Sequence, residues 1–245
     1  MPSTEPARES QSRLQEEEGG LWRAARHVAP FVLWIVLMFG LGEPAGWKYA
    51  VRAGASMVLL LALRPWRYYS GPAIGDLAWG VPAGVAVFIA WIGMETAYGG
   101  FLPGLQDFYL RWMVLPIGEY PPLPEGSPFA PDTCGWALSL TRLAGSAFVI
   151  AVIEEFFWRS FLYRWLVRKD FLSVGIGEFH PQAFIIATVL FGLEHHRWLA
   201  GILAGLVYGG LMIRRRSIWA PVIAHVVTNF LLGVYVLQTG SYNFW

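Results

Sequence analysis

The chain has 245 residues, of which 56% are hydrophobic and only 14% charged, where a soluble domain carries about 25% charged residues. With a mean hydropathy of +0.45 and 13 tryptophans, this composition excludes an ordinary soluble protein and describes one integral membrane bundle. A net charge of +1 argues against nucleic acid as a partner, and the single cysteine, Cys134, excludes an internal disulfide and any multi-cysteine metal site.

In chain order, residues 1–20 are polar, include Glu16-Glu17-Glu18, and read as a disordered tail. The remainder, 21–245, reads as one transmembrane helical domain. Apolar stretches predict spans at 28–41, 49–63, 77–94, 138–157 or somewhat beyond, 182–195, 199–213 and 218–237. In lipid the backbone must satisfy its own hydrogen bonds, so the fold class is all-α, a polytopic bundle. Seven spans are counted, with an eighth if residues 100–115 dip into the bilayer.

Arginines set an orientation. Arg23 and Arg26 precede the first span, Arg64 and Arg67 follow the second, Arg164, Arg168 and Lys169 follow the fourth, and Arg214-Arg215-Arg216 follow the sixth. With seven spans all four clusters fall on one side, which the positive-inside rule makes cytoplasmic, together with the N-terminus. A bacterial inner membrane is the expected location. The long connection from Glu95 to Gly135 carries seven of the 16 prolines. Within it Leu105, Phe108, Tyr109, Trp112 and Met113 follow helical spacing, which suits a helix in the membrane interface or a lid packed over the bundle.

Three polar groups interrupt the apolar C-terminal half. In the first, Glu154-Glu155-Phe156-Phe157-Trp158-Arg159, residues 155 and 159 lie one turn apart and can form an ion pair that braces packing. Glu154 is rotated about 100° away and has no local partner, a costly arrangement in hydrocarbon that rarely persists without a partner or a task. The second, Phe191-Gly192-Leu193-Glu194-His195-His196, ends the fifth span and offers Glu194, His195 and His196. The third, His225-Val226-Val227-Thr228-Asn229, puts His225 and Asn229 on one face; interhelical hydrogen bonding alone would also explain it. Together they can move a proton near neutral pH and donate to an oxyanion, as amide hydrolysis requires. No GxSxG or HExxH motif is present, and Cys134 has no nearby histidine in the sequence.

EExxxR, FxxxH and HxxxN, in this order on successive spans, resemble the CAAX-protease and bacteriocin-processing family of intramembrane endopeptidases, over about residues 138–232. The resemblance implies that Glu154 is the general base, that His195 holds the attacking water, that His225 and Asn229 stabilise the oxyanion, and that Glu155 with Arg159 braces the site. Since His196 directly follows His195, either can be the motif histidine. It leaves open a zinc ion between Glu154, His195 and His225, which with water would make a workable site. The chain also resembles the smaller CAAX-protease-related subgroup associated with exosortase and PEP-CTERM sorting. The implied partner is a membrane-anchored protein or peptide, reached from the bilayer or the cytoplasmic side. Two further readings use the same polar core, a non-proteolytic membrane scaffold or binding protein and an ion or proton translocator.

One geometric tension accompanies these assignments. His195 lies about 20 Å along the fifth span, whereas His225 lies only about 10 Å into the last. Both can meet Glu154 only if the two helices are tilted or staggered.

Overall fold

A computed structural model describes residues 19–96, 103–114, 118–120 and 126–245, and their regular structure is all helical, with no strand among the described residues. The tail read over 1–20 lies outside them, apart from its last two residues. The long helices are α1 (Gly20–Gly40), α2 (Gly46–Leu63), α3 (Ile74–Thr96) and, after a short α4 (Pro103–Tyr109) and α5 (Pro131–Cys134), α6 (Trp136–Val167). There follow α7 (Pro181–Leu193), α8 (Trp198–Arg215) and α9 (Trp219–Thr239). These seven long helices coincide with the seven apolar stretches.

Four of them, α1, α3, α6 and α9, are long and apolar enough to cross a membrane unaided, and α7 is a shorter apolar helix. Their outward faces carry Val36, Phe39, Val58, Leu61, Trp79, Ile89 and Ile185, all exposed. A continuous apolar exterior of this kind belongs to lipid rather than water. The chain is an integral membrane protein.

Local chemistry sets the ends of these helices. Arg64 and Arg216 turn the chain out of α2 and α8 in the left-handed conformation, and Gly240 does so after α9. Pro181, with no amide proton to waste, opens α7. The arginine clusters gather at one end of the bundle. There Arg23 lies 3.5 Å from Asp170, Arg26 bonds the Leu63 carbonyl, and Arg215 lies 3.5 Å from Asp76, which also accepts Ser217 Oγ at 3.0 Å. Buried Arg164 donates to the Leu172 and Val174 carbonyls and to the Tyr69 hydroxyl, clamping the α6–α7 connection.

The most extensively packed pair of helices among the described residues is α3 with α9. Gly80 and Gly84 form a GxxxG face, and a Cβ at Gly80 would lie 2.8 Å from the Ala220 carbonyl; at Gly84 it would overlap the Ala224 carbonyl. Such small faces let backbones touch in lipid, where packing rather than water drives association. The Gly84 carbonyl also accepts the Thr228 hydroxyl at 3.0 Å. Gly84→Leu is therefore expected to lower the unfolding free energy in micelles by at least about 2 kcal/mol. Helical circular dichroism across a denaturant series measures the change.

The stagger that the sequence demands is present. Trp219, the first residue of α9, packs on Phe156, whereas α7 begins near Tyr163, whose hydroxyl accepts the His180 N–H at 3.0 Å. Seven residues of α6 separate Phe156 from Tyr163, a displacement of about 10 Å, which offsets the mismatch between His195 and His225. Small residues let α8 follow α7 closely, with Gly192 against Gly201 and Thr188 against Gly205.

The possible eighth span, 100–115, lies partly outside the described residues. Its described part is α4 with one π-helical turn, Leu110–Val114, far too short for a span. Tyr109 and Val114 are buried against the bundle, Trp198 donates to the Trp112 carbonyl at 3.0 Å, and Leu105, Phe108 and Trp112 face outward. It packs as a lid with an apolar outer surface.

Candidate active site

Helix α6 carries the acidic pair between two departures from α geometry. Residues Ser146–Ile150 and Phe156–Leu162 are π-helical and flank the α segment Ala151–Glu155. Widened turns of this type concentrate at functional sites, and nothing in the sequence marks them. Both carboxylates are buried, Glu155 completely.

The two carboxylates have different surroundings. Glu155 Oε1 lies 3.1 Å from Arg159 Nη1 and accepts the His225 Nδ1 proton at 2.9 Å. Arg159 in turn lies over Phe191, 3.9 Å from the ring centroid, and its charge is shared between a carboxylate and an aromatic face. Glu154 Oε2 has no hydrogen-bond partner, and the nearest cationic or basic nitrogen is His225 Nε2 at 3.8 Å. One imidazole therefore stands between both glutamates, held at Nδ1 by the first and facing the second with Nε2.

His225 is fixed by more than Glu155. Tyr208 stacks on it with centroids 4.9 Å apart, and Phe191 meets it edge-on at 5.8 Å. The Tyr208 hydroxyl donates to Thr228 Oγ1 at 2.8 Å. Tyr208 belongs to no motif, and nothing in the spacing of α8 points to it. Phe191 was visible only as the first letter of FxxxH. Its ring and its carbonyl both matter.

His195 and its neighbours leave the helix. α7 stops at Leu193, and His195 occupies the turn before α8, donating from Nδ1 to the Phe191 carbonyl at 2.8 Å. The bond satisfies a carbonyl left open at the helix end and leaves Nε2 without its proton. Trp91 and Phe191 enclose the ring. Glu194 accepts the Trp158 indole proton at 2.9 Å, and His196 is exposed. Asn229 donates one amide proton to the Ser146 carbonyl at 3.1 Å. The fifth span expected over 182–195 is thus a helix to residue 193 followed by a turn.

These groups line a single cavity of about 310 Å³, which Glu154, His195, His196, Glu194, His225 and Asn229 all reach. Glu155 and Arg159 stand behind its wall. From Glu154 the cavity runs between α1, α2, α3, α6 and α9 toward the end of the bundle opposite the arginine clusters. There Arg197, paired with Glu95, borders it, and Asn243 donates to Glu95 Oε2 at 3.2 Å.

Glu154, His195 and His225 are not gathered into a three-ligand zinc site in this arrangement. Among the described residues no three of His, Cys, Asp and Glu come together closely enough to hold an ion. Each histidine is engaged through Nδ1, one with Phe191 and one with Glu155, which leaves Nε2 as the atom that could ligate, and Glu154 lies 3.8 Å from His225 Nε2.

Residues 136–231 match the family model described as type II CAAX prenyl endopeptidase Rce1-like. No curated protein and no solved structure matches the chain. The matched segment runs from the start of α6 into α9 and contains every residue of the polar cluster; it does not single out the exosortase-associated subgroup. Over this segment the chain is similar to the Rce1-like type II CAAX prenyl endopeptidases.

Proposed function

We propose that the protein is an intramembrane endopeptidase that hydrolyses a peptide bond of a membrane-associated substrate with a water activated by Glu154. The observation that carries this reading is the approach of Glu154 Oε2, buried and without a hydrogen bond, to His225 Nε2 at 3.8 Å, with Glu155 occupying the other ring nitrogen. Two acceptors at that separation can share one water molecule, each taking one of its protons.

The chemistry then follows from which atoms carry protons. As the water oxygen adds to the scissile carbonyl carbon, one water proton passes to Glu154. The carbonyl oxygen gains the negative charge, and the second amide proton of Asn229 is free to donate to it, the first being held by Ser146. Collapse breaks the C–N bond, and the proton on Glu154 moves to the leaving nitrogen. His225 differs here from the oxyanion role implied by the resemblance. With Nδ1–H donated to Glu155, its Nε2 carries a lone pair that orients the water. His195 Nε2 contributes a second acceptor at the cavity wall.

The positive-inside rule assigns the arginine-rich end to the cytoplasm. On that orientation the cavity extends from Glu154 away from the cytoplasm, so a peptide reaches the carboxylates from the bilayer or the far face. Of the two routes expected from sequence, the bilayer and the cytoplasmic side, this reading keeps the bilayer.

The protein reconstituted in liposomes tests the reading. The Glu154→Gln variant traps membrane peptides, and mass spectrometry maps their cut site after exposure to the native enzyme. One defined cut that the variant cannot make supports an endopeptidase. Recovery of every trapped peptide intact from the native protein would remove the reading.

A further inference from the structure

Two cations in the cavity have no part in the proposed hydrolysis. Arg52 from α2 and Arg142 from α6 both line it. The Arg52 guanidinium lies 3.7 Å from the centroid of Trp34 and 5.3 Å from that of Tyr49, while that of Arg142 lies 4.3 Å from Tyr49 and 4.7 Å from Phe129. They flank one tyrosine ring, which brings two like charges close together. The Nε of each is buried without a hydrogen-bond partner, and neither guanidinium has a carboxylate within ion-pair distance among the described residues. Arg197, in the same cavity, shows the contrast, because Glu95 neutralises it.

Unpaired charges inside a membrane bundle are expensive, and two that repel each other more so. Both costs fall when an anion sits between them. The planar fork of a guanidinium matches a carboxylate, and the aromatic faces behind the two groups hold them in place to receive it.

We propose that Arg52 and Arg142 form a subsite for a carboxylate of the peptide substrate, either its C-terminus or an acidic side chain. The identity of the ligand rests on the endopeptidase reading; the anion site itself does not. Along α6, about 18 Å of helix separates Arg142 from Glu154, which an extended peptide covers in about five residues. The subsite therefore selects peptides with a carboxylate within about five residues of the cut bond.

The test uses the Glu154→Gln protein in neutral-detergent micelles and apolar decapeptides carrying an uncharged dye. Three forms are compared by fluorescence anisotropy: the C-terminal acid, the C-terminal amide, and the amide with one internal Glu. The acid or the Glu-bearing peptide is expected to bind at least tenfold tighter than the plain amide, and which of them does so identifies the source of the carboxylate. The preference should vanish with Arg52→Gln and Arg142→Gln together and return in part with Arg52→Lys and Arg142→Lys. Equal binding of all three peptides overturns the proposal, as does a preference that survives the paired Gln substitutions. Displacement of the acid peptide by phosphatidylglycerol but not phosphatidylcholine overturns it in favour of a lipid phosphate. The same peptides given to the native enzyme separate the two readings. An acid preference in binding with no cleavage removes the endopeptidase and leaves the subsite, whereas equal cleavage of all three removes the subsite and leaves the endopeptidase.

Discussion

Glu154→Gln is expected to slow peptide cleavage by about 10²–10⁴-fold, the usual contribution of a positioned general base, while the protein stays folded. An amide keeps the shape of the carboxylate but cannot take a proton from water. Stability should hold or rise slightly, because the substitution removes a buried carboxylate that has no hydrogen bond at Oε2. Single-turnover cleavage rates and denaturant unfolding of the same preparations measure both effects. An unfolded variant would mark Glu154 as a structural residue. A folded variant with an undiminished rate would move the chemistry elsewhere.

Glu155→Ala should do the opposite and damage stability first. Glu155 is the shared partner of Arg159 and His225 Nδ1, and its loss leaves a buried guanidinium without its carboxylate. Removing one member of a buried ion pair costs about 3–5 kcal/mol. Activity falls as well, since His225 loses the group that fixes its tautomer and keeps Nε2 toward Glu154. Glu155→Gln, which still offers an acceptor to Nδ1, should recover part of both losses. A double-mutant cycle with His225→Ala measures the coupling: strongly non-additive effects are expected, and simple additivity would show that the two side chains act independently.

Much of the frame was legible because lipid allows few solutions. A backbone that must satisfy itself forms helices, so apolar runs located the seven long helices, although α1 begins eight residues before its run and α6 continues ten residues past 157. The helical period also revealed the Glu155–Arg159 contact, four residues apart on one turn. Distances between helices have no such local code. Glu155 reaching His225 depends on how α6 and α9 cross, and Asn229 turning to Ser146 depends on the same crossing. The stagger of α7 was visible only as a conflict between His195 and His225. The π-helical turns, the stacking of Tyr208 and the convergence of Arg52 with Arg142 on Tyr49 leave no trace in spacing. The Gly80–Gly84 face is different; its GxxxG pattern stands in the sequence and would have pointed to the α3–α9 contact.

Direct attack by a Glu154-activated water, with no acyl-enzyme, is best examined by single-turnover cleavage in H₂¹⁸O containing hydroxylamine, with products read by mass spectrometry. The expected result is that every new C-terminus carries one ¹⁸O and none carries a hydroxamate. Hydroxamate products would reveal a covalent acyl-enzyme and contradict water activation by Glu154 as the bond-breaking step.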